Sequence, residues 1–318
     1  GARHLRRLLA RVPIYMALDD HEFDDNWPGN AHALNQNDPV VQRYMENFQH
    51  GLAAAKAYQW SMSRCNGWTG HPSPHDSGLW HTFESGGLPF FVMDTRTERT
   101  LRQADVPWDK AQLVGPRQFK ALTDWLKEHK EEDKPKFIVS GSVLAPAPRN
   151  FTEKEWLYRS NDDWAGYPVT WRELVDYIVQ NEINKVVFIA GDYHLSALAH
   201  LILTSRSSKP IEAYSIVASA FFAPLPFANS KRGDYDWGQS STRPLPRLPF
   251  SDPDCPGAAI AVEPYLLCTN SSHFLRVDVK PKRPEEAKSK NSTDWEIHVG
   301  AYDRTGKIIA PEMDVKPP

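Results

Sequence analysis

The stretch that decides the fold is Val12-Pro13-Ile14-Tyr15-Met16-Ala17-Leu18-Asp19-Asp20-His21-Glu22, an apolar run ending in three acids and an imidazole. A second stretch repeats this design downstream, Lys185-Val186-Val187-Phe188-Ile189-Ala190-Gly191-Asp192-Tyr193-His194. Charged side chains leave water at a high cost unless a partner compensates them, and a metal cation or a charged substrate is the usual partner. Because ligands bind at the carboxyl ends of strands in open α/β sheets, the two stretches predict a metal centre at one sheet edge.

Strand-like and helix-like segments alternate as far as residue 190, which indicates a layered α/β fold. Strands are expected at 12–18, 88–94, 137–143 and 186–190, and helices are expected to begin at Asp38-Pro39, at Gly115-Pro116 and at Trp171. The later segments 195–204, 213–220, 274–279 and 295–302 all have strand character and predict a second sheet packed on the first. We expect one domain over residues 1–318, with an irregular insertion at about 224–256.

Composition excludes several classes of protein. The 318 residues carry a net charge of -3 with acids and bases interspersed, so no nucleic-acid-binding surface is expected. No run approaches the ~18 apolar residues of a membrane-spanning helix. The three cysteines are too few and too scattered for a disulfide framework or a zinc site. An export signal would lie upstream of Gly1, so the sequence assigns no compartment, and it assigns no oligomeric state.

The residue types at the two strand ends suggest individual roles. Asp20, Asp192 and His194 combine carboxylate and imidazole, a mixture that suits iron, manganese, zinc and calcium ions. His21 is placed to donate a proton, and Arg96 could grip an anionic oxygen with its planar fork. Gly191 is expected to allow a tight backbone path between the ligands. Further oxygen ligands stand close by as spares, namely Asp19, Asp24, Asp25 and Asn26.

Each of these motifs has a plainer interpretation. Asp-Asp-His-Glu alone is more often an exposed polar turn, and Asp94-Thr95-Arg96 is as readily a structural ion pair. Ser142 is expected to be a turn residue, because no Gly-x-Ser-x-Gly elbow surrounds it. His200 is expected to be a satisfied core histidine. Three further histidines are assigned to a solvent-exposed loop rather than to a metal: His71, His75 and His81.

The motifs and their order resemble those of the PhoD-like alkaline phosphatases, members of the calcineurin-like metallophosphoesterase superfamily. The matching stretches are Leu18–Trp27, then Met93-Asp94-Thr95-Arg96-Thr97-Glu98-Arg99, then Gly115-Pro116-Arg117-Gln118 before a helix with Trp125-Leu126, then Ala190–His194. The resemblance covers residues 10–200, and after residue 220 only the general strand character matches.

This resemblance implies a four-layer α/β/β/α sandwich with two or more metal ions and a metal-bound hydroxide that attacks phosphorus. It implies that Asp20, Asp192 and His194 are metal ligands and that His21 protonates the leaving oxygen or steadies the phosphate. Arg96 as a phosphate contact is an interpretation of its strand-end position alone. The superfamily begins with further ligands in a Gly-Asp segment that does not precede residue 19 here, so an N-terminally truncated fold is expected.

The sequence thus predicts a metal-dependent hydrolase of small-molecule phosphoric esters, a phosphomonoesterase or a phosphodiesterase. A highly anionic substrate is slightly favoured by three nearby arginines, Arg96, Arg99 and Arg102. Two alternatives remain, a catalytically silent metallophosphatase-like binding or structural protein, and a serine hydrolase. Sensitivity to chelators separates the metal-dependent enzyme from a serine enzyme.

Overall fold

The regular elements are given by a computed structural model, which describes residues 2–24, 27, 29, 37–60, 79–101, 110–148, 163–205, 208–218, 220, 235–236, 258–268, 272–281 and 295–315. The α-helices are α1 (Ala2–Leu9), α2 (Pro39–Ala55), α3 (Pro116–Glu128) and α4 (Pro168–Gln180). The strands are β1 (His81–Ser85), β2 (Leu88–Val92), β3 (Lys136–Ser140), β4 (Ala147–Pro148), β5 (Val186–Ala190), β6 (Ser196–Thr204), β7 (Ile211–Val217), β8 (Tyr235–Asp236), β9 (Ala259–Cys268), β10 (His273–Pro281), β11 (Trp295–Asp303) and β12 (Ile308–Val315).

The central sheet has seven strands in the order β1-β2-β3-β5-β7-β6-β9. Its middle four strands, β2, β3, β5 and β7, run parallel to one another, and the flanking pairs are antiparallel. A second sheet of three antiparallel strands has the order β10-β11-β12. The carboxyl ends of four neighbouring strands therefore meet at one edge of the central sheet, the edge at which ligands bind in folds of this type.

The central sheet is covered on both faces because its parallel strands carry apolar side chains on both sides. On one face, Phe91, Ile138 and Phe188 pack against helices α3 and α4. On the other face, Phe137 and Val187 pack against the three-stranded sheet. Each fully buried side chain of this size stabilises the fold by about 1.5–3 kcal/mol. Helices α3 and α4, the central sheet and the three-stranded sheet thus form three layers.

The starts of helices α2 and α3 follow signals in the sequence. Helix α2 begins at Pro39 with Asp38 as its N-cap, and the Asp38 carboxylate accepts a hydrogen bond from the Val40 amide at 2.8 Å. Helix α3 begins at Pro116 as expected, whereas α4 begins at Pro168, three residues before the expected start at Trp171. In both helices the fixed φ of proline suits the first helical turn. In the part of the chain that the structure describes, no helix is long and apolar enough to cross a membrane.

One predicted strand is wrong. Residues 13–19 form neither helix nor strand and pair with no sheet. Half-buried side chains hold this segment instead, for example Tyr15, whose ring stacks on Phe83 of β1. Apolar composition alone does not distinguish a paired strand from a segment that lies across the sheet end. The predictions missed β1, β9, β12 and the two-residue pair β4 and β8, while the bounds of the other predicted strands agree with the structure within a few residues. The predicted second sheet is only partly right, because β6 and β7 pair within the central sheet and only β10 and β11 of the predicted strands lie in the second one. The predicted insertion at 224–256 lies outside the described residues, apart from Tyr235–Asp236.

His81 also differs from its expected place. It lies in β1 and is buried, not in a solvent-exposed loop, and burial lowers its pKa to about 4. A neutral imidazole suits such a site because burial penalises the charged form. His71 and His75 lie outside the described residues. His200 is buried in β6 with its Nε2 3.2 Å from a Glu212 carboxylate oxygen, as a satisfied core histidine would be.

Candidate metal centre at the carboxyl edge of the sheet

Three acidic side chains converge at the carboxyl edge of the central sheet. Asp19, Asp20 and Asp192 each offer one carboxylate oxygen, and these oxygens all lie within 4.8 Å of one another. Asp20 is buried, and the other two are partly buried. An ion with oxygen ligands at about 2.0–2.6 Å holds opposite ligands about 4–5 Å apart, so this spacing and this hard donor set fit one divalent cation. We refer to these three residues as the acid cluster.

Arg96 compensates part of the charge of the acid cluster. Its guanidinium is fully buried and donates to Asp19 Oδ1 from Nε at 2.8 Å and from Nη2 at 2.5 Å. The same Nη2 lies 3.9 Å from Asp192 Oδ1. Three carboxylates beside one guanidinium leave a formal charge of minus two, which is the charge that a divalent cation neutralises.

The segment that carries Asp19 and Asp20 is held by a short 3-10 turn and by helix α2. The turn Asp20–Glu22 follows Asp19 directly, and Glu22 Oε2 accepts a hydrogen bond from the Asp19 amide at 3.0 Å. The other Glu22 oxygen accepts from the Gln59 side chain. Gly51 of α2 lies so close that an added Cβ would stand 2.1 Å from the Glu22 carbonyl oxygen. The turn therefore rests on α2 at a position where only glycine fits.

Asp192 occupies an unusual backbone conformation. Its φ is +71°, and the Tyr193 amide donates to the Gly191 carbonyl at 2.9 Å across it. A hydrogen bond across one residue of positive φ is the pattern of a γ-turn, a strained conformation for a residue with a side chain. His194 also has a positive φ, +53°. Strain of this kind persists where the surrounding structure enforces it, often at functional sites.

Gly191 does not have the expected role. Its φ is not positive, and an added Cβ would meet no atom within 4 Å. The tight approach is made by Gly141, which follows the neighbouring strand β3. A Cβ on Gly141 would stand 2.8 Å from the Leu18 carbonyl oxygen and 2.9 Å from Asp19 Oδ1. The sequence signal for this contact is a glycine directly after a buried strand.

We expect Gly141→Ala to displace the Asp19 segment and to lower the free energy of unfolding by about 1–3 kcal/mol, because the new methyl group would overlap a backbone carbonyl. Its matched control is Gly191→Ala, since Ser140 and Ala190 are paired in register and the two glycines follow them on adjacent strands. The control should stay within about 0.5 kcal/mol of wild type. Urea unfolding of both variants measures this difference, and equal stabilities would contradict the close approach.

Asp94 has a structural role, and the proposed ion pair with Arg96 is wrong. The Asp94 carboxylate is fully buried and accepts hydrogen bonds from the amides of Leu79, Arg96 and Thr97 at 2.7–3.0 Å. The Arg96 guanidinium turns to Asp19 instead. Asp94 therefore shapes the turn after β2 so that Arg96 reaches the acid cluster.

Arg99 is also structural. It is buried, and its nitrogens donate to Thr95 O at 2.6 Å, to Trp27 O at 3.0 Å and to Ser142 Oγ at 2.8 Å. Ser142 is fully buried in this contact and has the setting of a turn residue. Arg102 lies outside the described residues. Of the three arginines that suggested a highly anionic substrate, Arg99 is thus occupied by protein oxygens.

The structure brings together two of the three predicted metal ligands. Asp20 and Asp192 belong to the acid cluster, and its third member is Asp19, which had been considered a spare. His194 lies two residues beyond Asp192 but is not a member of the cluster. His21 is exposed on the 3-10 turn, and its amide donates to Asp20 Oδ1 at 2.8 Å. Of the other spares, Asp24 is exposed, and Asp25 and Asn26 lie outside the described residues.

Comparisons with known proteins agree with one another on the family that the chain resembles. A family model described as PhoD-like phosphatase matches residues 2–237. Alkaline phosphatase D of Bacillus subtilis (strain 168) is 24% identical over 288 residues, which cover 87% of this chain and 45% of that protein. A solved structure titled "Structure of PhoD" aligns with a TM-score of 0.50 at 18% identity, over 92% of this chain and 54% of that one. The chain spans about half the length of these relatives, and the structural likeness supports a shared mixed α/β fold.

Proposed function

The chain belongs to the PhoD-like phosphatase family, and from this premise we propose that it is a metal-dependent hydrolase of phosphoric esters. The observation that carries the proposal is the acid cluster. Its three carboxylates come from segments more than 170 residues apart and meet at the ligand-binding edge of the sheet. A cluster with this excess of negative charge fits a cation and would repel an anionic ester on its own.

The proposed roles follow from the contacts of each side chain. Asp19, Asp20 and Asp192 would hold one ion, and His194 is proposed as a ligand of a further ion. Bound ions would activate a water molecule as the nucleophile and would neutralise charge on the phosphoryl oxygens. His21 is exposed beside Asp20, where it would give a proton to the leaving oxygen. Arg96 would keep Asp19 and Asp192 oriented and would contact the phosphate only by releasing part of that network.

Charge is the property by which a site would distinguish phosphoric monoesters from diesters. A monoester carries more negative charge than a diester and favours extra cationic contacts. Arg99 does not provide one, because it is buried among protein oxygens. The proposal therefore covers small-molecule monoesters and diesters alike. We also propose that the fold has the outer helical layer of an α/β/β/α sandwich. This layer would cover the three-stranded sheet.

The alternatives predict different responses to metal removal. A serine hydrolase would need an accessible nucleophile, whereas Ser142 is fully buried and bonded to Arg99. A catalytically silent protein would bind metal and show no turnover. The acid cluster favours metal binding whether the chain is a metal-dependent hydrolase or a catalytically silent protein.

We expect the chain to hydrolyse a chromogenic phosphomonoester or phosphodiester, to lose that turnover after dialysis against a chelator, and to regain it when Mn²⁺, Ca²⁺, Zn²⁺ or iron is returned. Metal content by plasma mass spectrometry accompanies each assay. A chain that carries stoichiometric metal and hydrolyses neither ester would support the silent protein. Turnover that survives complete metal removal would contradict metal dependence.

A further inference from the structure

Tyr193 lies between the two residues of positive φ, Asp192 and His194, at the strained turn after β5. Its amide closes the turn by donating to the Gly191 carbonyl at 2.9 Å. Its ring is partly buried against the main hydrophobic core. Its hydroxyl donates to Oδ2 of Asp163. Tyr193 is therefore fixed at its backbone, its ring and its hydroxyl, while its neighbour Asp192 reaches into the acid cluster.

Asp163, which accepts the hydrogen bond from the Tyr193 hydroxyl, is itself held in place by the protein. Its side chain is 1% exposed, and its other oxygen, Oδ1, accepts from the Ala165 amide at 2.9 Å at the start of the 3-10 turn Trp164–Gly166. A buried carboxylate needs such donors because desolvation of an uncompensated charge is costly. The hydrogen bond from Tyr193 therefore helps to compensate the buried Asp163 carboxylate and also connects the turn to it.

Trp164, the residue after Asp163, contacts the end of the neighbouring strand β3. It is fully buried, and its indole nitrogen lies 3.0 Å from Ser140 Oγ and 3.1 Å from the Ser142 carbonyl oxygen, at the end of β3. A continuous path thus runs from the end of β3 through Trp164 and Asp163 to Tyr193 and the end of β5. Both strand ends contribute to the acid cluster, β3 through the close approach of Gly141 to Asp19 and β5 through Asp192.

From this path we propose that Tyr193 is a positioning residue, which holds Asp192 in its left-handed turn through the hydrogen bond to Asp163 and so presets the carboxylate for a cation. A residue with a Cβ leaves a positive φ readily unless contacts on both sides hold it. Without the Tyr193 hydroxyl, Asp192 would sample other conformations, and binding of a cation would have to order the turn again. The proposal rests on the proposed metal centre for its consequence, but the restraint on the turn can be measured without any metal.

The test compares Tyr193→Phe with Tyr177→Phe in the full chain. Phenylalanine keeps the ring in the core and removes only the hydroxyl. Tyr177 is the matched control, because its hydroxyl donates to the Thr123 carbonyl at 3.0 Å between helices α4 and α3. Both variants lose one hydrogen bond, so a role confined to general stability would affect both alike. The first readout is hydrogen exchange of the 192–194 amides in chelator-treated protein, and the second is Mn²⁺ affinity by calorimetry.

We expect exchange at 192–194 to accelerate at least 10-fold in Tyr193→Phe alone, and Mn²⁺ affinity to fall about 10- to 100-fold, the range for groups that orient metal ligands. Unchanged exchange would overturn the proposal, and so would faster exchange with unchanged Mn²⁺ affinity in a chain that binds Mn²⁺. If the wild-type chain binds no Mn²⁺, the proposed metal centre fails. Accelerated exchange would then still support the restraint of the turn by Tyr193.

Discussion

From the proposed function we expect Asp192→Asn to leave the chain folded and to abolish stoichiometric metal binding, and with it phosphoester turnover. The substitution removes one of three carboxylates in the acid cluster, whose oxygens lie within 4.8 Å of one another. Asparagine is nearly isosteric and tolerates a positive φ, so the turn that carries φ +71° at this position is not strained further. The loss therefore reports ligation and charge, separately from backbone conformation.

The measurements are metal content by plasma mass spectrometry and turnover of the same preparations. The control is Asp124→Asn, which removes an exposed carboxylate paired with Lys120 on the surface of helix α3. This control should keep both metal and turnover, because exposed ion pairs contribute little to stability. If Asp192→Asn retained the metal content of wild type, Asp192 would not be a ligand, and the acid cluster would lose its proposed role.

His21→Ala should lower turnover by about 10²–10⁴-fold while metal content stays unchanged. This range is the usual contribution of a positioned proton donor. His21 is exposed on the 3-10 turn, whereas the adjacent Asp20 is buried in the acid cluster. His21 is therefore accessible to solvent next in sequence to a member of the cluster, and we expect a substrate to reach its imidazole. Loss of a proton donor affects the chemical step, not the ligands of the ion.

An exposed histidine of helix α2, His50, provides the control as His50→Ala. We expect wild-type turnover from this variant. A substrate with a leaving group of low pKa needs less protonation, so it should recover much of the rate lost in His21→Ala. Unchanged turnover in His21→Ala would exclude the acid role, and parallel losses of metal and turnover would make His21 a ligand instead.

Much of the fold could be predicted because local signals agreed with tertiary structure. The N-cap Asp38 with Pro39 placed the start of α2 at the correct residue, and the apolar run Val186–Ala190 placed β5. The segment 12–18 had the same apolar character and was predicted to be a strand, but it pairs with no sheet. Strand pairing depends on partners remote in sequence, which the composition of one segment does not contain.

In the candidate site, too, some features could be predicted from the sequence and others depend on the tertiary structure. The sequence by itself indicated that Asp20 and Asp192 would meet, because each follows an apolar segment, although only the segment before Asp192 is a strand of the sheet. Only the tertiary structure decided that Asp19 completes the cluster, that Gly141 and not Gly191 makes the close approach, and that Arg96 turns to Asp19. Side-chain direction depends on backbone dihedrals and on packing between distant segments, as the positive φ of Asp192 shows. Residue type and spacing therefore fix which groups come near one another, and packing fixes which of them touch.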